Sequence, residues 1–189
     1  SRSDAYVYFL THATQFLRPG GRLAAVVPGK WLTTRYGGPF QRFLFDHYRV
    51  QGVVGFGARA FADALVDTVL LLAERCPDRQ RRRATPVRFC RLDEQITVPE
   101  LGSLVTEAPA PAGAGLAVDR PDAGRTVTVR QGRLADDERA KLAPYLDAAV
   151  PILRLLSADA LAPLGDLARV KRGVMTGAND FFFLDADGP

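Results

Sequence analysis

Leu17-Arg18-Pro19-Gly20-Gly21-Arg22-Leu23-Ala24-Ala25-Val26-Val27-Pro28-Gly29-Lys30-Trp31 is the stretch whose reading sets the fold class. Pro19-Gly20-Gly21 stops whatever precedes it and turns the chain. Leu23 to Val27 is short, wholly apolar and closed by Pro28, which predicts a strand buried on both faces of a parallel sheet. Upstream, Tyr6, Phe9, Leu10, Ala13, Phe16 and Leu17 recur at helical spacing. Ser3 and Asp4 are suited to cap that helix. Helix, tight turn and buried strand form half of a βαβ layer, so the class is α/β.

Downstream the alternation continues. A second helix is predicted over 36–47, with Phe40, Phe43, Leu44 and Tyr48 on one face. Val50–Val54 is a short strand, and Val66–Ala73 is a third. Between them Gly55-Phe56-Gly57-Ala58-Arg59-Ala60-Phe61 is a loop with two aromatics. Ligands in open α/β sheets sit beyond the carboxyl ends of the strands. Pro28-Gly29-Lys30-Trp31 therefore occupies a functional position if its strand is parallel. Trp31 also reads as a core cap and Lys30 as a solvated cation. Asp67 and Thr68 at the head of the third strand read as structural, with Arg59 a candidate partner for Asp67.

These pieces resemble the C-terminal half of the catalytic domain of adenine-N6 DNA methyltransferases of the restriction–modification type. DAYVYFL, LRPGGRLAAVVPGKWL, FLFDHYRVQGVV and FADALVDTVLLL carry the resemblance. Near the end, RGVMTGANDFFFLD resembles the opening of that family's target-recognition domain. The implied fold is a partial Rossmann-like, S-adenosylmethionine-dependent methyltransferase sheet, followed by a mixed α+β segment. The implied organisation is catalytic domain over 1–92, linker and helical connection over 93–162, and start of the target-recognition domain over 163–189.

The resemblance also assigns roles. Phe9 matches the aromatic that packs on the adenine ring of S-adenosylmethionine, the implied cofactor; it also reads as one core residue of an amphipathic helix. Phe61 matches the aromatic that stacks on a flipped-out target adenine, and Phe56 is its rival. Lys30 is a candidate phosphate contact. Lys171, Arg172, Thr176 and Asn179 are further DNA-binding candidates near the implied cleft, where Thr and Asn also read as satisfying their own turn. Double-stranded DNA is the implied partner, with a nuclease or specificity subunit beside it, in a bacterial cytoplasm.

The departure from the family pattern is equally informative. The family's Gly-rich cofactor loop and its catalytic Asn- or Asp-Pro-Pro-Tyr tetrapeptide occur nowhere in these 189 residues. The expectation is a piece of a longer enzyme, inactive in isolation. The alternative is a non-catalytic DNA-binding or assembly module that keeps only the fold.

Composition is compatible with either reading. Hydrophobic residues make up 47%, enough for a core, and the net charge of +4 is carried mostly by arginine. That balance fits a nucleic-acid partner without requiring one. Cys76 and Cys90 lack metal-ligand spacing and read as a reduced pair, so no metal is expected. No apolar run approaches the ~18 residues of a membrane span.

The remaining chain is less distinctive. The arginines of 75–83 form either a phosphate-contacting turn or a solvated connection. Pro86–Leu92 alternates and reads as an edge strand, 108–125 as a flexible linker, Thr126–Arg130 as a strand, and 136–146 as a helix interrupted by Pro144. Phe181–Leu184 reads as the first strand of the recognition domain.

Overall fold

The computed structural model describes residues 4–56, 68–92, 96–107, 109–111, 115–119, 124–137, 141–157, 162 and 164–169. Two units are present, 1–157 and 158–189. The first holds six strands: β1 Arg22–Pro28, β2 Tyr48–Phe56, β3 Thr68–Arg75, β4 Pro86–Leu92, β5 Leu116–Asp119 and β6 Gly124–Arg130. Its helices are α1 Ala5–Ala13, α2 Gly37–His47, α3 Arg79–Ala84, α4 Val98–Glu107, α5 Gln131–Asp136, α6 Ala143–Asp147 and α7 Val150–Ser157. In the second unit the described residues include the single helical turn α8, Leu164–Leu167, which is exposed.

The strands form one mixed sheet in the order β1-β3-β2-β4-β6-β5. The α/β class is therefore borne out. Only β2 and β4 pair in parallel; every other neighbouring pair is antiparallel. β1 and β2 each run antiparallel to β3, so β1, β2 and β4 all point the same way. Their carboxyl ends meet at one end of the sheet.

Four expectations need correction. β1 is not buried on both faces: its burial alternates, and Val26 is 61% exposed. Among the described strands it pairs with β3 alone, antiparallel, and Ala24 and Val26 are exposed. β4 is not an edge strand. It sits between β2 and β6, with Val87, Phe89 and Cys90 fully buried. The alternation that suggests one wet face was misleading here because Arg88 and Arg91 run along half-buried positions. Residues 93–162, expected as linker and helical connection, contribute α4, β5, β6, α5, α6 and α7, nearly all within the first unit. Val127 and Val129 supply the reason, since burying both requires β6 to join the sheet. The helix expected over 136–146 is split into α5 and α6, with Pro144 in the first turn of α6, where its missing N–H costs nothing.

Each face of the sheet has its own cover. α1 and α2 lay Val7, Leu10, Phe40 and Leu44 over one face, in a core that includes Trp31, Tyr48 and Phe89. On the other face α4 packs Val105 against Val54, Cys90 and Leu92. α4 begins with a capping box: the Glu100 carboxylate accepts from Thr97 N at 2.6 Å, and Glu100 N donates to Thr97 Oγ1 at 3.5 Å. Asp78 caps α3 through Gln80 N and Arg81 N, at 2.8 and 3.1 Å. Asp4, expected to cap α1, makes no such bond; its carboxylate accepts from the Tyr36 hydroxyl at 2.7 Å instead. Cys76 and Cys90 are both free and buried, and burial pushes the Cys90 thiol pKa up, so it stays a neutral core group.

Candidate functional site

The loop after β1 opens as a 3-10 turn over Gly29–Leu32. Its conformation is fixed from within and from α2. Thr33 and Thr34 turn their hydroxyls onto the Lys30 carbonyl at 3.2 and 2.9 Å. Trp31 is 1% exposed and meets Phe40 edge-on at 5.4 Å. Gln41 Nε2 donates to the Trp31 carbonyl at 2.8 Å. Gly37 lies so close that a Cβ there would stand 1.9 Å from that same carbonyl oxygen. Only glycine lets α2 start against the loop in this way. The structure thus makes Trp31 a core anchor, and it leaves the neighbouring Lys30 exposed.

Tyr6 and Tyr36 brace the same region. Their hydroxyls lie 3.3 Å apart. Burial, then the bond to Tyr36, push the Tyr6 phenol above its ordinary pKa, so it remains a protonated hydrogen-bonding group.

Beyond the carboxyl ends of β1, β2 and β4 lies a cavity of about 540 Å³. Gly29, Lys30 and Thr33 form its β1 side, Phe56 closes the end of β2, and Thr68 opens β3 beside them. The opposite wall is α6, through Ala143, Leu146 and Asp147. Gly55 permits that approach, since its Cβ would sit 3.3 Å from Leu146 Cδ1. Arg91, near the end of β4, pairs with Asp147 at 2.8 Å. Arg125, from β6, donates both guanidinium arms to the Leu146 and Ala148 carbonyls at the end of α6. The wall therefore hangs from two arginines and is tied to the β1 loop by Leu142 N, which donates to the Leu32 carbonyl at 3.1 Å.

The cavity brings together two of the residues singled out in the sequence, Lys30 and Phe56. Phe9 does not line it. It stands 72% exposed on α1, between Tyr8 and a similarly exposed Phe16, so it is not a core residue of this sheet. Phe61, Lys171, Arg172, Thr176 and Asn179 lie outside the described residues, as do Asp67 and the 181–184 segment. Arg91, Arg125 and Asp147 were not legible as site-builders. Asp147 lies 56 positions from Arg91, and no local pattern links them.

At the other end of the sheet Arg82 and Arg83 take structural roles, while Arg79 and Arg81 are exposed. Arg82 donates to the carbonyls of Phe45, Cys76 and Pro77 at 3.1, 2.8 and 2.7 Å. Arg83 forms a two-armed pair with Asp136 at 2.8 and 2.6 Å. Fully buried Gln131 accepts from Val50 N and donates to the carbonyls of Phe45 and Tyr48. A smaller cavity of about 190 Å³ there is bounded by these groups. No group of three or more metal-ligating side chains is present among the described residues, and none of their helices is long and apolar enough to cross a membrane.

Comparison with known proteins finds a restriction-modification methylase match over the amino-terminal third. Residues 1–61 match the model of the Eco57I restriction-modification methylase family. Solved structures of similar fold include the type IIG restriction endonuclease BpuSI, at 13% identity over 75% of this chain and 16% of that chain, with a TM-score of 0.55. They also include the methyltransferase subunit of a type I restriction-modification system from Streptococcus thermophilus, at 17% identity over 77% of this chain and 31% of that chain, with a TM-score of 0.53. A chain from an assembly of the type I system is 17% identical over 88% of this chain and 36% of its own length, also at 0.53. At these identities the likeness is one of fold. The chain spans between 16% and 36% of these three structures' lengths.

Proposed function

We propose that the chain is part of a site-specific DNA methyltransferase that moves a methyl group from S-adenosylmethionine to N6 of an adenine flipped out of the duplex. The family match over 1–61 supports methyl transfer to DNA as the activity of the longer protein. The observation that carries the reading is the cavity at the strand tips. It sits where open α/β sheets bind ligands, with Lys30 on one side and Phe56 at the rim, five residues before Phe61 in the chain.

Each residue has a defined task in this reading. Phe61 offers its ring face to the extruded base; Phe56, on the cavity wall, is the rival for that contact. Phe9, already exposed, offers a ring to the adenine of the cofactor. S-adenosylmethionine, when bound, supplies the electrophilic methyl group. The residues of this chain orient base and cofactor and exclude water, so most of their contribution is positional. Lys30, with Lys171, Arg172, Thr176 and Asn179, meets the DNA backbone, which fixes register without reading sequence. These 189 residues alone transfer no methyl group, because the amino-group clamp of the Pro-Pro tetrapeptide is not among them. A nuclease or specificity subunit, in the bacterial cytoplasm, completes the system.

The test is a methylation assay on the longer protein that contains this chain, read as N6-methyladenine in a substrate duplex. Phe61→Ala is expected to abolish methylation and flipped-base binding while sparing duplex binding. Full activity in that variant would remove the stacking role.

A further inference from the structure

The chain crosses the strand-tip end of the sheet once more after β6, as a strap over 141–148. Leu142 and Leu146 are 2% and 3% exposed and anchor it in the core. Leu142 N holds it to the Leu32 carbonyl, and Arg91 and Arg125 hold its other end. One consequence concerns Lys141. Its Nζ donates to the Thr34 carbonyl at 3.2 Å, which brings it across 107 positions of sequence to the loop after β1. Thr34 in turn donates both its N–H and its hydroxyl to the Lys30 carbonyl. Arg35 follows next in the chain and is exposed. Lys30, which lines the cavity, and Arg35 thus belong to one short loop, and Lys141 is bonded to that loop from the strap. Among the described residues no carboxylate forms an ion pair with Lys30, Arg35 or Lys141. Two carboxylates of the region are engaged elsewhere, Asp147 by Arg91 and Asp4 by the Tyr36 hydroxyl.

We propose that Lys30, Arg35 and Lys141 form one phosphate-contacting patch, completed by the strap, that grips the backbone of duplex DNA beside the strand-tip cavity. This rests on the reading of DNA as the substrate and adds Arg35 and Lys141 to it. A cluster of cations without an ion-pair partner among the described residues complements a polyanion, and it carries no groove-reading geometry of its own. The grip is therefore independent of sequence.

The experiment measures binding of the chain to a short duplex of arbitrary sequence as a function of salt. Each phosphate contact contributes about 0.9 to the slope of log affinity against log salt. Lys30→Gln, Arg35→Gln and Lys141→Gln are expected to flatten the slope by about 0.9 each, and the triple variant by about 2.7, with an unchanged melting midpoint. Arg79→Gln with Arg81→Gln, exposed cations at the opposite end of the sheet, should leave the slope as it is. No binding by the unaltered chain at low salt, an unchanged slope in the triple variant, or an equal loss in the Arg79/Arg81 control would each overturn the patch. In the longer protein, methylation that persists with an unchanged salt slope in the triple variant overturns the patch and leaves the methyltransferase reading standing. Absence of methylation in the unaltered longer protein sinks that reading instead.

Discussion

The two ends of the sheet spend their cations differently. At the end where β2 and β4 begin, Arg49, Arg82 and Arg83 are each bound to a carboxylate or to carbonyls, and Gln131 closes the gap between them. At the end where β1, β2 and β4 finish, Lys30 and Arg35 stand exposed, and Lys141 donates to the Thr34 carbonyl. Two arginines there, Arg91 and Arg125, hold the wall of a cavity, and Arg91 also lines it. The first end ties Arg49, Arg82 and Arg83 into the fold and leaves Arg79 and Arg81 exposed, whereas the exposed cations of the second end stand beside a cavity. Arginine's planar fork suits the first task, because one side chain can satisfy several carbonyls at once.

The strongest way to break this contrast is at Gln131. Gln131→Leu takes the Gln131 partner from Val50 N–H and the Tyr48 carbonyl and leaves the Phe45 carbonyl to Arg82 alone, and is expected to cost about 3 kcal/mol in chemical denaturation. A loss below about 1 kcal/mol would mean that water replaces all three bonds. Arg82→Met removes three bonds to carbonyls at a half-buried site and should cost about 1.5 kcal/mol. The comparison fails if Lys30→Gln, at the other end, costs as much. That substitution should leave stability within about 0.5 kcal/mol and register only in the salt dependence of DNA binding.

A smaller effect sharpens the comparison through pH. His47, at the end of α2, has its pKa held below the ordinary 6.5 by partial burial and by Arg75. The unfolded chain therefore binds the proton first as pH falls. His47 contributes stability that is present above pH 6.5 and is lost as pH drops below it toward the folded-state pKa. The loss is expected to be modest, since the ring is only partly buried, and it should vanish in His47→Gln. A stability that rises as pH drops from 7 to 5.5 would contradict the direction.

How much could be read in advance differs from element to element. Helix, Pro-Gly-Gly turn and apolar run identified α1 and β1 because those signals are local and stereochemical: glycine and proline restrict the backbone wherever they stand. Trp31 as a core cap followed from its size and place. β4 was misread as an edge because its arginines alternate with apolar residues. Its long side chains carry their charge out past the neighbours while the stems stay packed, so a polar letter did not mean a wet face. The 93–162 segment was read as a connection because its strands are short and separated by Ala-, Pro- and Gly-rich stretches.

The sequence by itself determined the alternation of helices and strands, the apolar content of the core and the turns that punctuate it, since each depends on neighbours in the chain. Only the tertiary structure decided that β3 lies between β1 and β2, that β6 borders β4, and that Arg91, Arg125 and Lys141 converge on the strand tips. Those pairings join residues tens of positions apart. They are selected by which apolar faces can be buried together and which carbonyls need donors, and both conditions exist only once the chain has closed on itself.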